Sequence, residues 1–207
     1  MDIFEKGDYR SVPPSFRSKG IFALEELSKF QEEFESYDTD TTINEIRDAI
    51  VANYLGFDLL NFNKHGFDAK NGEKNKFLEV KQCGVFSNRL GGTWNDTNEE
   101  KAKAFSDKRL YTAVGIWKGA SDLQFIVFGQ HKGLGEYLLE RVRNRKEGSR
   151  STQSVEIGKL IKDWNFTVVV PPDKEIKTVY KKLVTYKANF EKLLKIEDLK
   201  RTKDVRI

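Results

Sequence analysis

Two apolar runs, 110–117 and 123–128, constrain the fold of this chain of 207 residues more than any other feature. Nearly every residue in them is apolar, which predicts two strands that are buried on both faces. Helical patterns lie on either side of these runs, over 97–106 with Thr97-Asn98-Glu99-Glu100 as a capping box, and over 134–146. Helices alternating with strands predict an α/β (α+β) fold with a central mixed β-sheet flanked by helices.

Another strand is predicted further upstream, where polar and apolar residues alternate. Alternation sends Glu79 and Lys81 to one face and Leu78 and Val80 to the other. A turn rich in Lys, Asn and Gly precedes this strand, and a hairpin-like return across the turn would bring Asp68 beside Glu79. Two converging carboxylates suit Mg²⁺, which binds carboxylates, water and substrate phosphate. The nearby lysine is a cation that can stabilise developing charge or orient a water. Together these residues indicate phosphodiester hydrolysis.

The arrangement Asp68-x10-Glu79-x-Lys81 resembles the motif of the PD-(D/E)XK nuclease superfamily, and within it the type II restriction endonucleases. Phe67 stands where the name of the family has a proline. The resemblance implies a restriction-endonuclease-like core in which Asp68 and Glu79 hold Mg²⁺ and Lys81 assists the attacking water. It also implies a homodimer, because cutting both strands of a palindrome calls for twofold symmetry. A restriction enzyme further implies a companion DNA methyltransferase that acts on the same site.

Other side chains are candidates for the same catalytic site. Members of this superfamily often carry an active-site Glu on a preceding helix, and Glu45 lies on the helix predicted over 42–55. Glu45 is either a second-metal or water-orienting carboxylate or a solvated surface residue, and Asp48 is the alternative on the same helix. Gln82 continues the catalytic strand and could bind phosphate or water. His65 is either a phosphate contact or a simple loop residue.

Two segments have the composition of DNA-contacting loops. The first, 84–95, mixes Gly, Asn, Arg and Trp, and the second, 141–154, combines basic residues with Ser, Thr and Gln. Arg and Asn can read base edges, whereas basic and hydroxyl side chains position phosphates. Both patterns also occur in loops that only turn and in solvated helix ends. The residues predicted to contact DNA are Asn88, Arg89, Trp94, Arg141, Arg143, Arg145, Lys146, Arg150, Ser151 and Gln153.

Composition narrows the class of protein. No apolar run is long enough to span a membrane, and Cys83 as the single cysteine excludes an internal disulfide framework, so we expect a cytoplasmic protein with no membrane partner. The net charge is +4, with an acidic N-terminal part and a basic C-terminal half. This uneven distribution fits a protein that turns one side of its surface towards a polyanion. We expect one domain over 1–207, with an N-terminal arm and acidic helix (1–40), a catalytic core (41–170) and a C-terminal basic helix (171–207).

The function expected from these observations is a Mg²⁺-dependent, sequence-specific endonuclease that cuts double-stranded DNA to 5′-phosphate ends as a type II restriction enzyme. The nearest alternative is another PD-(D/E)XK nuclease with a homing, repair or junction-resolving role. A second alternative is a non-catalytic nucleic-acid-binding protein in which the Glu79-Val80-Lys81 sequence is a coincidence. A third is a protein-interaction domain, which would lack salt-dependent DNA affinity.

Overall fold

The computed structural model describes residues 14–35, 37–59, 67–95, 97–145, 152–186, 190–205 and 207. The chain divides into two compact units, Met1–Ile43 and Asn44–Ile207, and the division falls inside the second helix, slightly after the boundary at residue 40 that the sequence suggested. The first unit contains helix α1 (Pro14–Glu33) and the start of α2 (Thr39–Tyr54). Within the described parts of the chain, no helix combines the length and the apolar character needed to cross a membrane.

The second unit is built on a seven-stranded mixed sheet in the order β1-β2-β3-β5-β6-β8-β9. Its strands are β1 (Asp58–Leu59), β2 (Ala69–Asn71), β3 (Lys76–Gly84), β5 (Leu110–Lys118), β6 (Asp122–Gly129), β8 (Thr167–Val170) and β9 (Lys200–Arg201). Strands β3 and β5 run parallel, as do β8 and β9, whereas the other neighbours are antiparallel. A separate antiparallel pair consists of β4 (Gly91–Trp94) and β7 (Gln153–Glu156). The predicted central mixed sheet is therefore confirmed.

Helices cover both faces of the large sheet. The C-terminal part of α2 packs on one face, where Val51, Ala52 and Leu55 join Leu78 and Val80 in one apolar cluster. The other face carries α3 (Glu99–Ala104), α4 (Lys132–Arg143), α5 (Ile157–Trp164) and α6 (Ile176–Tyr186), whose apolar side chains enter a second cluster. Strand β3, which carries Glu79 and Lys81, thus lies between two layers of helix.

Period-2 alternation in β5 and β6 explains why these strands are apolar throughout. Val114 and Ile116 point into the cluster under α3–α6, whereas Ala113 and Trp117 belong to the cluster under α2. Burying an aliphatic or aromatic side chain of this size contributes about 1.5–3 kcal/mol. The two central strands therefore connect the cores on both sides of the sheet, as the sequence predicted.

Several elements differ from those predicted. Helix α5 has no counterpart among the predicted helices; its apolar residues Ile157, Leu160, Ile161 and Trp164 recur at helical spacing, and all four are buried. Asn165, with φ of 55°, ends this helix in the left-handed conformation. The predicted long C-terminal helix ends at Tyr186 as α6, and β9 then adds an edge strand to the main sheet.

Candidate active site

The predicted hairpin is present, and it places Asp68 opposite Glu79. Ala69 pairs with Leu78, and the Asp68 N–H donates to the Leu78 carbonyl at 3.0 Å. The side chain of Asp68 then accepts a hydrogen bond from the Val80 N–H, with 2.6 Å between Oδ2 and N. Because the Val80 N–H lies just past the end of the pairing between β2 and β3, the carboxylate takes up this backbone donor and is held against the strand. Asp68 and Glu79 are thereby brought together across the turn, as the sequence predicted.

Glu79 and Lys81 form a buried ion pair. Nζ of Lys81 lies 2.6 Å from Oε1 of Glu79, and the side chains are 18% and 3% exposed, respectively. Burial acts to lower the pKa of Lys81, but the carboxylate of Glu79 and its hydrogen bond, with the charges of Asp68 and Asp48, raise it above the ordinary lysine value. Lys81 is therefore a cation at neutral pH in this state of the protein.

The α2 layer supplies a third carboxylate to this neighbourhood. Asp48 accepts a hydrogen bond from Nε2 of Gln82, and Oε1 of Gln82 accepts from the indole N–H of Trp117. Arg47 donates to the carbonyl groups of Gly119 and Ala120, both at 2.8 Å, and so attaches α2 to the turn between β5 and β6. This attachment and the Gln82 bridge fix the position of Asp48 over the end of β3.

The structure separates the two acidic candidates on α2. Asp48 shares the buried helical stripe with Val51, Ala52 and Leu55, since residues three, four and seven apart lie on one face. Glu45 lies one turn earlier on the same helix and is partly buried. Asp48, the alternative in the sequence prediction, bonds to Gln82 of β3, and a catalytic role for Glu45 stays a prediction.

The carboxylates at this site repel one another. Burial and then the charge of Asp68 raise the pKa of Asp48 to about 7. Burial and then the charge of Glu79 raise the pKa of Asp68 to about 6, although Lys81 and the Val80 N–H act in the opposite direction. A cluster of partly desolvated negative charges is less stable than its separate members, and a cation placed among them would relieve the repulsion.

A second lysine, which the sequence did not predict, faces the same carboxylate. Nζ of Lys101 lies 3.8 Å from Oε1 of Glu79, and its side chain is 38% exposed. Lys101 is on α3, whose N-cap is Asn98: the Asn98 side chain accepts from the Lys101 N–H at 2.7 Å. The N-cap is therefore Asn98 and not Thr97, whose hydroxyl instead donates to the Trp94 carbonyl at 3.2 Å. The capping pattern predicted the start of a helix here, but only the fold shows that this helix places Lys101 beside Glu79.

The donor set fits Mg²⁺ in its chemistry. Among the described residues, no three His, Cys, Asp or Glu side chains converge closely enough to hold a metal ion by themselves. Mg²⁺ does not need such a cage, because it keeps several waters and is usually bound by one or two carboxylates together with substrate phosphate. Asp68 and Glu79, which face each other across the hairpin, are two such oxygen donors.

The residues predicted to contact DNA fall into three groups. Asn88, Arg89, Arg141, Arg143 and Arg145 are exposed, although Arg143 forms an ion pair with Glu99 at 2.9 Å. Lys146, Arg150 and Ser151, like His65, lie outside the described residues. Trp94 is fully buried and Gln153 is 9% exposed.

The burial of Trp94 and Gln153 corrects their predicted DNA contacts. Trp94 packs edge-on against Phe105, with 6.1 Å between the ring centroids, and it belongs to the core under α3–α6. Gln153 is its cross-strand neighbour in the β4–β7 pair. Alternation within a strand sends both side chains to the inner face, whereas Thr93 and Ser154 take the outer face.

The β4–β7 pair also joins the two segments that the sequence singled out for DNA contact. Residues 91–94 belong to the first segment, and the partner strand 153–156 begins with the last two residues of the second, so the segments meet in one antiparallel ribbon. Neither strand was predicted, since each has only four residues and pairs with a distant partner. Comparison with known proteins adds no family assignment, because the chain matches no protein-family model and no curated protein.

Proposed function

We propose that this protein is a Mg²⁺-dependent nuclease of the PD-(D/E)XK type that hydrolyses phosphodiester bonds in double-stranded DNA. The observation that carries the proposal is the convergence of Asp68, Glu79 and Lys81 at one point on β3, with Glu79 and Lys81 paired at 2.6 Å and Asp68 held across the hairpin. A buried carboxylate pair beside a lysine is costly for stability. A catalytic role explains why the fold retains it.

Each side chain has a defined task in the proposed reaction. Asp68 and Glu79 would hold Mg²⁺, which would supply Lewis-acid stabilisation of charge on the scissile phosphate. Lys81 is positively charged, so it orients the attacking water by hydrogen bonding and offsets negative charge that develops on phosphate, and it does not act as the base in this protonation state. Lys101 provides a second positive charge near the same oxygen of Glu79, Oε1, at 3.8 Å.

Asp48 and Gln82 have supporting tasks. The Gln82 amide, which follows Lys81 in β3, is held between Asp48 and Trp117 on the α2 face of the strand. Asp48 adds a carboxylate whose proton is lost near neutral pH. In this proposal the pair positions Lys81 and the water network, and Glu45, one turn away, has the water-orienting role that the sequence suggested.

The type II restriction class is the specific form of this proposal. Such an enzyme acts as a homodimer in the cytoplasm, cuts a defined sequence to 5′-phosphate ends, and works with a DNA methyltransferase of the same specificity. The exposed basic residues Arg89, Arg141, Arg143 and Arg145 support DNA contact beside the catalytic residues. Homing, repair and junction-resolving nucleases share the same chemistry, and the products of digestion separate them.

Incubating the purified protein with unmethylated phage DNA, with Mg²⁺ and with EDTA, tests the proposal. Lys81→Met is the inactive variant, and Lys103→Met is its matched control, because Lys103 is a lysine on nearby α3 with a side chain that is 60% exposed. We expect discrete fragments that require Mg²⁺, persist with Lys103→Met and disappear with Lys81→Met, although both variants bind DNA.

Other results decide among the alternatives. A smear in place of discrete fragments indicates a nuclease without sequence specificity, and cutting confined to branched DNA indicates a junction-resolving enzyme. Mg²⁺-dependent cutting that survives Lys81→Met refutes the assigned site. No cutting of linear or branched DNA refutes the nuclease, and salt-dependent DNA binding would then support a non-catalytic binding protein.

A further inference from the structure

A cleft of about 670 Å³ lies beside the catalytic strand. The β4–β7 ribbon forms its floor, and residues of α4 and α5 form its walls. The two outward hydroxyls of the ribbon, Thr93 and Ser154, are paired across the strands with 3.3 Å between their oxygens. The volume falls within the range of about 300–1,000 Å³ that is usual for ligand-binding clefts.

Glycines bring this floor close to the catalytic residues. A Cβ atom on Gly92 would lie 3.2 Å from Cβ of Lys81, and one on Gly91 would lie 2.2 Å from the carbonyl oxygen of Val155. Both glycines line the cleft. The ring of Trp94 lies 2.8 Å from the same Cβ position, so the β4 strand and part of this ring separate the cleft from the stem of Lys81. A ligand in the cleft is therefore adjacent to the candidate active site without occupying it.

The walls are positively charged. Arg89, Arg141, Lys159 and Lys162 line the cleft, against two carboxylates, Glu156 and Asp163. Lys159 and Asp163 neutralise each other at 2.7 Å. In the part of the chain that the structure describes, neither Arg141 nor Lys162 forms an ion pair, and Arg141 stacks on Tyr137 with 5.9 Å between its guanidinium carbon and the ring centroid. These cations are spaced over two helices and therefore suit several phosphates better than one.

We propose that this ribbon cleft binds one strand of nucleic acid next to the scissile bond. Arg141 and Lys162 contact its phosphates, and the hydroxyls of Thr93 and Ser154 hydrogen-bond to the sugar or base edge above the floor. An apolar small molecule fits poorly because the lining is mostly polar and charged. The inference deepens the proposed function, since the strand in the cleft is the one that the active site would cut.

Binding measured without metal tests the cleft independently of cleavage. We would titrate fluorescein-labelled single-stranded and duplex oligonucleotides in EDTA, from 50 to 200 mM salt, and compare wild type with the double variant Arg141→Gln/Lys162→Gln. The matched control is Lys132→Gln/Lys118→Gln, which removes the same charge from α4 and from an exposed end of β5, outside the cleft. Each lost phosphate contact should reduce the slope of log affinity against log salt by about 0.7–0.9.

We therefore expect the slope to fall by about 1.4–1.8 in the cleft variant and to change little in the control. Thr93→Val/Ser154→Ala should weaken binding with no change in slope, because hydroxyls carry no charge. An unchanged slope and affinity in both cleft variants overturns the proposal, as does equal competition by poly-glutamate, which would indicate an acidic protein partner.

The outcome for the cleft is separable from the outcome for the nuclease. If the wild type never cuts DNA but Arg141→Gln/Lys162→Gln weakens its DNA binding, the cleft proposal is supported and the nuclease proposal is refuted. If the wild type cuts DNA and the same variant binds DNA normally, the cleft proposal is refuted and the nuclease proposal stands. A normal thermal unfolding midpoint of each variant excludes misfolding as the cause.

Discussion

Replacing Asp48 by Asn is expected to stabilise the metal-free protein at neutral and alkaline pH. Burial and the charge of Asp68 raise the pKa of Asp48 from 3.8 to about 7. The folded protein therefore retains a proton that the unfolded chain releases at lower pH, and stability falls as pH rises between these two values. Asn is neutral at all pH values and its oxygen can still accept from Gln82, so the variant avoids this cost.

The pKa values set the size of the effect. Each unit of pKa corresponds to about 1.4 kcal/mol, so the difference between 3.8 and about 7 gives an upper bound of roughly 4 kcal/mol. Asp48 keeps some contact with solvent, and screening lowers the cost of its charge. We therefore expect a gain of about 1–3 kcal/mol at pH 8, which shrinks towards zero near pH 4.

Urea unfolding in EDTA at pH 4, 6 and 8 measures this gain. Asp58→Asn is the matched control, because Asp58 is exposed in β1 and its replacement should give no pH-dependent gain. In an Asp68→Asn background the gain from Asp48→Asn should be smaller, since the charge of Asp68 is the second cause of the raised pKa. A loss of stability at pH 8, or a gain of equal size at pH 4 and pH 8, would refute this account of the carboxylate cluster.

Two further substitutions test the parts of the site that only the fold revealed. Lys101→Ala should lower the rate of DNA cleavage about tenfold or more at saturating DNA, because it removes a cation 3.8 Å from Glu79, whereas Lys103→Ala on the same helix should have little effect. Equal rates for the two variants would exclude Lys101 from the site. Gly91→Ala should lower the free energy of unfolding by about 1–3 kcal/mol in denaturant titrations, because its Cβ would lie 2.2 Å from a backbone oxygen. Gly72→Ala, with nothing within 4 Å of the added Cβ, is the control, and equal losses would show that β4 does not pack against β7 as closely as described.

Local patterns predicted the hairpin of β2 and β3 because the residues that specify it are close together in the sequence. Alternation placed Glu79 and Lys81 on the same face, and the short turn returned Asp68 to Glu79. Local sequence patterns also predicted the buried strands β5 and β6, whose apolar side chains pack into the clusters on both faces of the sheet. These predictions depend on the period-2 alternation of side chains and on a short hairpin turn. They require no knowledge of which distant segments pack against the strands.

The other contacts of β3, from Lys101 to Glu79 and from Asp48 to Gln82, come from long-range packing. Nothing near Lys101 in sequence marks it as a partner of Glu79; the position of α3 over the sheet decides that contact. Asp48 and Glu45 lie three residues apart on one helix, and the packing of Val51, Ala52 and Leu55 against the sheet brings the turn that contains Asp48 over Gln82. Helical periodicity alone allowed either acid to face the strand.

The β4–β7 ribbon shows the same difference between what the sequence predicted and what only the packing decided, here for the proposed DNA contacts. Composition indicated the two segments, but it could not show that Trp94 is buried, because aromatic residues occur both in loops that bind nucleic acid and in cores. Pairing of Gly91–Trp94 with Gln153–Glu156 decided that Trp94 and Gln153 face inward and that Thr93 and Ser154 face outward. The sequence by itself therefore determined the buried strands β5 and β6 and the hairpin that brings Asp68 opposite Glu79, since these follow from local periodicity. The tertiary structure decided which distant side chains join them, because a contact between remote segments depends on how the helices pack over the sheet and not on any local pattern.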